Sequence, residues 1–134
     1  MSIFESPRFL RNVLWADAAS CLGSGALQLA GGAALAQLLN LPQALLVATG
    51  AFLLVYAAAV AWTATRDPLP RALVGLFAVG NAAWALGCVA LLATGILQPS
   101  AWGVAWVAAQ AVTVAVLAEL QWTALRRMPV PGWA

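Results

Sequence analysis

The chain contains no histidine and no lysine, one tyrosine, two cysteines and four acidic residues. Without histidine there is no imidazole for zinc or haem and no Ser/His or Cys/His nucleophile pair. No glycine-rich loop follows a strand-like segment, so a phosphate cradle is missing too. The two thiols, Cys21 and Cys88, form no CxxC pair and sit in apolar segments, where they read as small buried residues with weak S–H donors. No enzyme, no cofactor and no metal site is expected.

Charge is the scarcest property. Only 7% of the 134 residues are charged and 64% are apolar, whereas soluble domains carry roughly a quarter of their residues as charges. Between Ala18 and Thr65 there is no Asp, Glu, Lys or Arg, and none again between Ala72 and Ala118. A bilayer core takes about 20 residues of helix, so each run holds two spans and a tight turn. Four transmembrane helices use nearly the whole chain and leave no extramembrane domain.

The first apolar segment, preceded by Arg8 and Arg11 and containing Ala34-Leu35-Ala36, also fits a secretory signal peptide. It is long for such an h-region, and is read here as a retained helix.

The six arginines are Arg8, Arg11, Arg66, Arg71, Arg126 and Arg127. They fall in the N-terminal segment, the middle connection and the C-terminal tail, while the turns near 36–42 and 95–101 have none. By the positive-inside rule both termini and the middle loop are cytoplasmic, in a multi-pass protein of the bacterial inner membrane. These arginines act as topological anchors, so a nucleic-acid partner is excluded.

Punctuation residues divide the chain. Ser6 and Pro7 start a first helix from about Leu10 to about Leu35, ending near Gly31-Gly32 or a turn later. Pro42 opens a second helix that runs to about Thr65, and "RDPLPR" (66–71) is the next loop. The third helix runs from about Arg71 to Leu92 and the fourth, after "TGILQPSAWG", to about Arg127. "MPVPGWA" is a short tail. Trp15, Trp62 and Trp122 fall near one membrane boundary and Trp102 and Trp106 near the other, as aromatic belts do. Trp84 lies at mid-membrane depth, where its indole N–H needs a partner.

The pattern repeats. "DAASCLGSGALQLAG" (17–31) aligns with "NAAWALGCVALLATG" (81–95), with Asn81 in the place of Asp17. "PRFL" and "PRAL" open the first and third helices, "LPQA" and "QPSA" mark the two turns, and "WTATR" and "WTALR" close the second and fourth. The expected fold is therefore all-α: one integral membrane four-helix bundle over residues 1–134, built from duplicated hairpins at 7–66 and 70–127. Both copies begin and end on the same side, so the repeat is parallel, with a pseudo-twofold axis along the membrane normal. Asp17 and Asn81 each lie about 15 Å into their helices.

An intramembrane carboxylate costs about 2.5–3.5 kcal/mol at a helix centre on insertion scales, so it should face the interior. Asp17, Cys21, Ser24 and Gln28 share one helix face. Thr49, Tyr56 and Thr63 recur at seven-residue steps on the second helix. Asn81 and Cys88 lie on the third, with Trp84 between them. On the fourth helix Gln110, Thr113 and Gln121 share one face and Glu119 lies off it. Glu119 is expected inward, because a carboxylate costs more in lipid than an amide.

The candidate binding residues are thus Asp17, Tyr56, Asn81, Trp84 and Glu119, with two readings. They could form a proton or cation site, in which two nearby acids share a proton, within a transporter of a small solute. Alternatively Asp17 bonds Asn81 across the pseudo-twofold axis, Glu119 pairs with Arg66 or Arg71, and the protein packs with lipid, with itself or with a membrane-protein partner. The runs Ala16/Ser20/Ser24, Ala19/Gly23 and Ala83/Gly87 are read as close-packing seams.

At "DAASCLGSGALQLA", "LPQALL", "GNAAWALGC" and "AELQWTALRR" the chain resembles a family of small four-helix inner-membrane proteins of proteobacteria. The resemblance covers residues 7–127. That family carries no assigned activity, so it implies location and fold alone. In size, helix count and an acid in the first helix the chain is also similar to small multidrug-resistance transporters, which lack this parallel hairpin repeat.

Overall fold

The computed structural model describes residues 3–128. A single 3-10 turn, Ile3–Glu5, precedes four helices: α1 (Pro7–Leu39), α2 (Gln43–Ala64), α3 (Arg71–Thr94) and α4 (Ala101–Arg127). Among the described residues there is no strand. Each helix is long and apolar enough to cross a membrane. The tail 129–134 lies outside the described residues.

The helix boundaries follow from local chemistry. Ser6 Oγ accepts from the Arg8 N–H at 3.2 Å, and Pro7 occupies the first helical position, where its missing N–H costs nothing. The expected break near Gly31-Gly32 is a kink rather than an end: Gly32 takes φ 45 and ψ −124, and helical residues resume to Leu39. Only glycine adopts that backbone cheaply. Asn40, at φ 52, then closes the helix in left-handed conformation, which asparagine tolerates. The third helix runs to Thr94, past the expected Leu92, and stops at Gly95 with φ 67. Ser100 caps α4 by accepting from the Gly103 N–H at 3.1 Å.

Helix α1 packs along α2 and α4, and α3 packs along α4. Between α2 and α3 the backbones barely meet, and the diagonal pairs do not meet at all. The bundle is therefore an open ring in the order α2, α1, α4, α3, with a seam between its first and last members.

At the end that holds the α2–α3 loop, Leu10, Leu14, Val60, Ala64, Val74 and Phe77 form one apolar cluster. A second cluster, Leu39, Leu41, Leu46 and Val107, fills the opposite end. The outer surface is apolar as well: Val55, Leu76, Leu86 and Val112 are exposed. An exposed apolar belt of this extent is what a hydrocarbon surrounding stabilises and water does not.

Backbones approach most closely at two places. A Cβ on Gly25 would lie 2.8 Å from Gly50 O, so the backbones of α1 and α2 come this close there only because both residues are glycine. At the far end, Ser100 N and Oγ donate to Leu39 O (2.9 Å) and Leu38 O (2.6 Å), and Asn40 Nδ2 donates to Gln98 O (2.6 Å). A Cβ on Gly103 would lie 2.1 Å from Leu39 O. These contacts clamp the two hairpin turns together.

The seams read from sequence fall elsewhere. Ala16, Ala19, Gly23, Ala83 and Gly87 are exposed, and a Cβ on Gly23 or Gly87 would meet nothing within 4 Å. The close crossing belongs to Gly25, on the same helix face as Asp17, Cys21 and Gln28.

Arginines close the other end. Arg11 Nη1 donates to the carbonyls of Ala64 and, at 3.0 Å, Arg66. Arg71 Nη2 donates to Leu125 O at 2.7 Å. In each hairpin an arginine on the first helix thus serves the unpaired carbonyl end of the second, the favourable place for a cation.

Candidate functional site

Three of the buried polar residues meet at one point. Asp17 is 0% exposed, Gln121 0% and Asn81 3%. Asp17 Oδ2 accepts from Asn81 Nδ2 at 2.9 Å and from Gln121 Nε2 at 2.6 Å, and Asp17 Oδ1 accepts from Cys21 Sγ at 3.4 Å. Asn81 Nδ2 also donates to Gln121 Oε1 at 3.1 Å. Three helices, α1, α3 and α4, are tied by one closed set of hydrogen bonds.

The choice of side chains follows from donor and acceptor counts. A carboxylate offers acceptors, so its neighbours must be donors. Asparagine and glutamine supply N–H groups, and the glutamine carbonyl takes the second bond from Asn81. A glutamate at that position could not donate to Asp17 in its ionised form. This explains why Gln121 faces inward and Glu119 does not.

The expectation of an inward Glu119 is thereby corrected. Glu119 is exposed on the outer face, beside Trp122 and alanines of α3 and α4. Its Oε1 accepts from Thr123 Oγ1 at 3.5 Å. It joins neither Arg66, which donates to Thr65 Oγ1 and lies over the Trp62 ring, nor Arg71. The expected bond between Asp17 and Asn81 is present.

Tyr56 and Trp84 lie next to this set rather than in it. Tyr56 Oη donates to Phe77 O at 3.2 Å, bridging α2 to α3. Trp84 Nε1 donates to Gln110 Oε1 at 3.1 Å, which supplies the partner its depth demands. Phe52 stacks on Trp84, with centroids 5.8 Å apart and planes 11° from parallel, and on Tyr56 at 6.0 Å. Tyr56 meets Phe77 edge to face at 5.4 Å. Aromatic rings therefore span the seam that the backbones leave open.

Inside those rings, toward the clamped end, lies a groove of about 650 Å³. Leu46, Leu53, Gly87, Leu91, Trp106 and Val114 form much of its wall. Several polar groups border it, and most of their donors, those of Gln110 and Cys88 apart, are committed. Gln28 Nε2 donates to Leu46 O (2.8 Å) and Thr49 Oγ1 (2.7 Å), and Thr49 Oγ1 donates to Leu45 O (2.7 Å). With the Tyr56 and Trp84 donors engaged as well, the groove presents chiefly hydrocarbon and ring surface. Asp17 does not border it.

The five candidates thus divide. Asp17 is bonded to Asn81, which borders the groove together with Tyr56 and Trp84, and Glu119 stands outside. Gln121, Gln110 and the Gln28–Thr49 pair complete the interior polar set. Among the described residues no three His, Cys, Asp or Glu side chains gather in one place, so no shell for a metal is offered. Comparisons with protein-family models, with curated proteins and with solved structures give no match for this chain.

Proposed function

We propose that this is a small non-enzymatic integral membrane protein that holds a hydrocarbon chain of a membrane lipid in the groove between α2 and α3. One observation carries the reading: α2 and α3 fail to close on each other, leaving a groove of about 650 Å³ whose bordering polar donors largely turn back into the protein. A site whose donors are mostly spent has less to offer a polar solute than an apolar chain. The opening faces the side of the bundle, where lipid chains lie.

Placement in the bacterial inner membrane, with both termini and the 66–70 loop cytoplasmic, rests on the six arginines at one end. The duplicated hairpins 7–66 and 70–127 rest on the matched PR, proline-turn and WTAxR markers. In each half an arginine of the first helix serves the carbonyl end of the second, although Arg11 and Arg71 stand at different positions of the repeat. Placement among the small four-helix inner-membrane proteins of proteobacteria belongs to the same reading. A proton-coupled transporter using Asp17 and Glu119 draws no support from the geometry, because the first is buried and bonded to Asn81, Gln121 and Cys21 and the second is on the outside.

Native mass spectrometry on protein extracted in a mild detergent tests this. The wild type should retain one lipid. Gly87→Phe, which fills the groove, should release it, and Val55→Phe on the outer face of α2 should not. Equal retention by both variants, or no lipid on the wild type, would overturn the reading.

A further inference from the structure

Glu119 presents a carboxylate to the outside of an apolar bundle. In the membrane reading above, on which this inference rests, it lies about 10 Å below the Arg126 level, within the hydrocarbon edge. A carboxylate there is costly in lipid and calls for a partner. Around it α3 and α4 form a shallow groove of about 370 Å³, walled by Ala78, Ala82, Ala85, Ala115 and Ala118. Alanine walls let another helix backbone come close, as small residues do wherever membrane helices pack.

A second copy of this chain does not fit the face. A two-fold contact would set Glu119 near its own equivalent, carboxylate against carboxylate. The chain has no lysine, and its six arginines all lie at the rim or in the loop, about two helical turns from Glu119. We infer that the α3–α4 face around Glu119 docks a transmembrane helix of another protein that carries an arginine or lysine at the same depth. Charge complementarity selects the partner, and the alanine groove sets its approach.

The test uses the full chain in phosphatidylcholine vesicles with fluorescent synthetic transmembrane helices. One helix carries a single Arg about 10 Å from its cytoplasmic end, and its control carries Leu there. Energy transfer should report about tenfold tighter association for the Arg helix. Glu119→Gln should abolish that preference, Glu119→Arg should transfer it to a Glu-bearing helix, and Ala115→Trp should block both helices. Equal association of the Arg and Leu helices would overturn the inference, as would an undiminished preference in Glu119→Gln. So would disulfide linkage of Ala82→Cys copies to each other in a Cys21→Ser, Cys88→Ser background. Failure of the protein to insert into vesicles would instead overturn the membrane reading itself.

Discussion

Asn81 Nδ2 lies 2.9 Å from Asp17 Oδ2 and joins α1 to α3, although the backbones of these diagonal helices do not approach each other. Side chains alone cross the bundle here, and Gln121 closes the set from α4. Apolar side chains gain little from leaving lipid for a protein interior, so packing and hydrogen bonds of this kind must fix the register.

Removal of one member leaves the others buried and unpaired. Asp17→Ala should destabilise the fold by about 1–3 kcal/mol, the cost of stranding the Asn81 and Gln121 donors. Asp17→Leu combined with Asn81→Leu and Gln121→Leu should cost less than the sum of the three single changes. Reversible unfolding in mixed micelles checks both, and strict additivity would contradict a closed set.

Three glycines in similar helical settings should respond differently to alanine. Gly103→Ala forces a methyl group against Leu39 O and should cost about 1–3 kcal/mol, as overpacking does. Gly25→Ala meets Gly50 O and should also destabilise. Gly23→Ala meets nothing, so helix propensity alone acts, which favours alanine by about 1 kcal/mol. Unfolding midpoints for the three variants should fall in that order.

Arg11 and Arg71 each place a cation on a helix carbonyl end. Arg11→Leu and Arg71→Leu should each cost about 1 kcal/mol, near the upper end of exposed charge–dipole effects. The Arg11 effect should loosen α1 against α2 only. Hydrogen exchange of the last turn of α2 should quicken in Arg11→Leu while that of α4 stays unchanged.

Orientation can be read from thiol labelling in the Cys21→Ser, Cys88→Ser background. Asp67→Cys should react with a membrane-impermeant maleimide only after spheroplasts are permeabilised, and Gln98→Cys should react before. The reverse pattern would invert the topology.

Much of this arrangement is legible in the sequence because depth is countable along a helix. Asp17 and Asn81 stand at matching distances from Arg8 and Arg71, so their bond follows once α1 and α3 both pack antiparallel to α4. The need of Trp84 for an acceptor follows from its depth, though not the identity of Gln110. Three things were not legible. The cost of a carboxylate in lipid argued for an inward Glu119, but the interior already held Asp17 and needed donors. Gln121 supplies a donor and an acceptor at once, and that complementarity was the available signal. The small-residue runs are indistinguishable by spacing alone; Gly25 lies on the face of Asp17 and Gln28, and there the backbones touch. The seam between α2 and α3 has no counterpart in the helix pattern, because an aromatic bridge through Phe52 and Trp84 replaces backbone contact.

The groove is tested most directly by photolabelling in membranes with a phospholipid carrying a diazirine in its acyl chain, followed by mapping of the labelled residues. Labels concentrated on Phe52, Ala83, Gly87 and Cys88, and lost in Gly87→Phe, are the predicted result. Labels spread evenly over exposed positions such as Val55, Leu86 and Val112, with none enriched between α2 and α3, would contradict it.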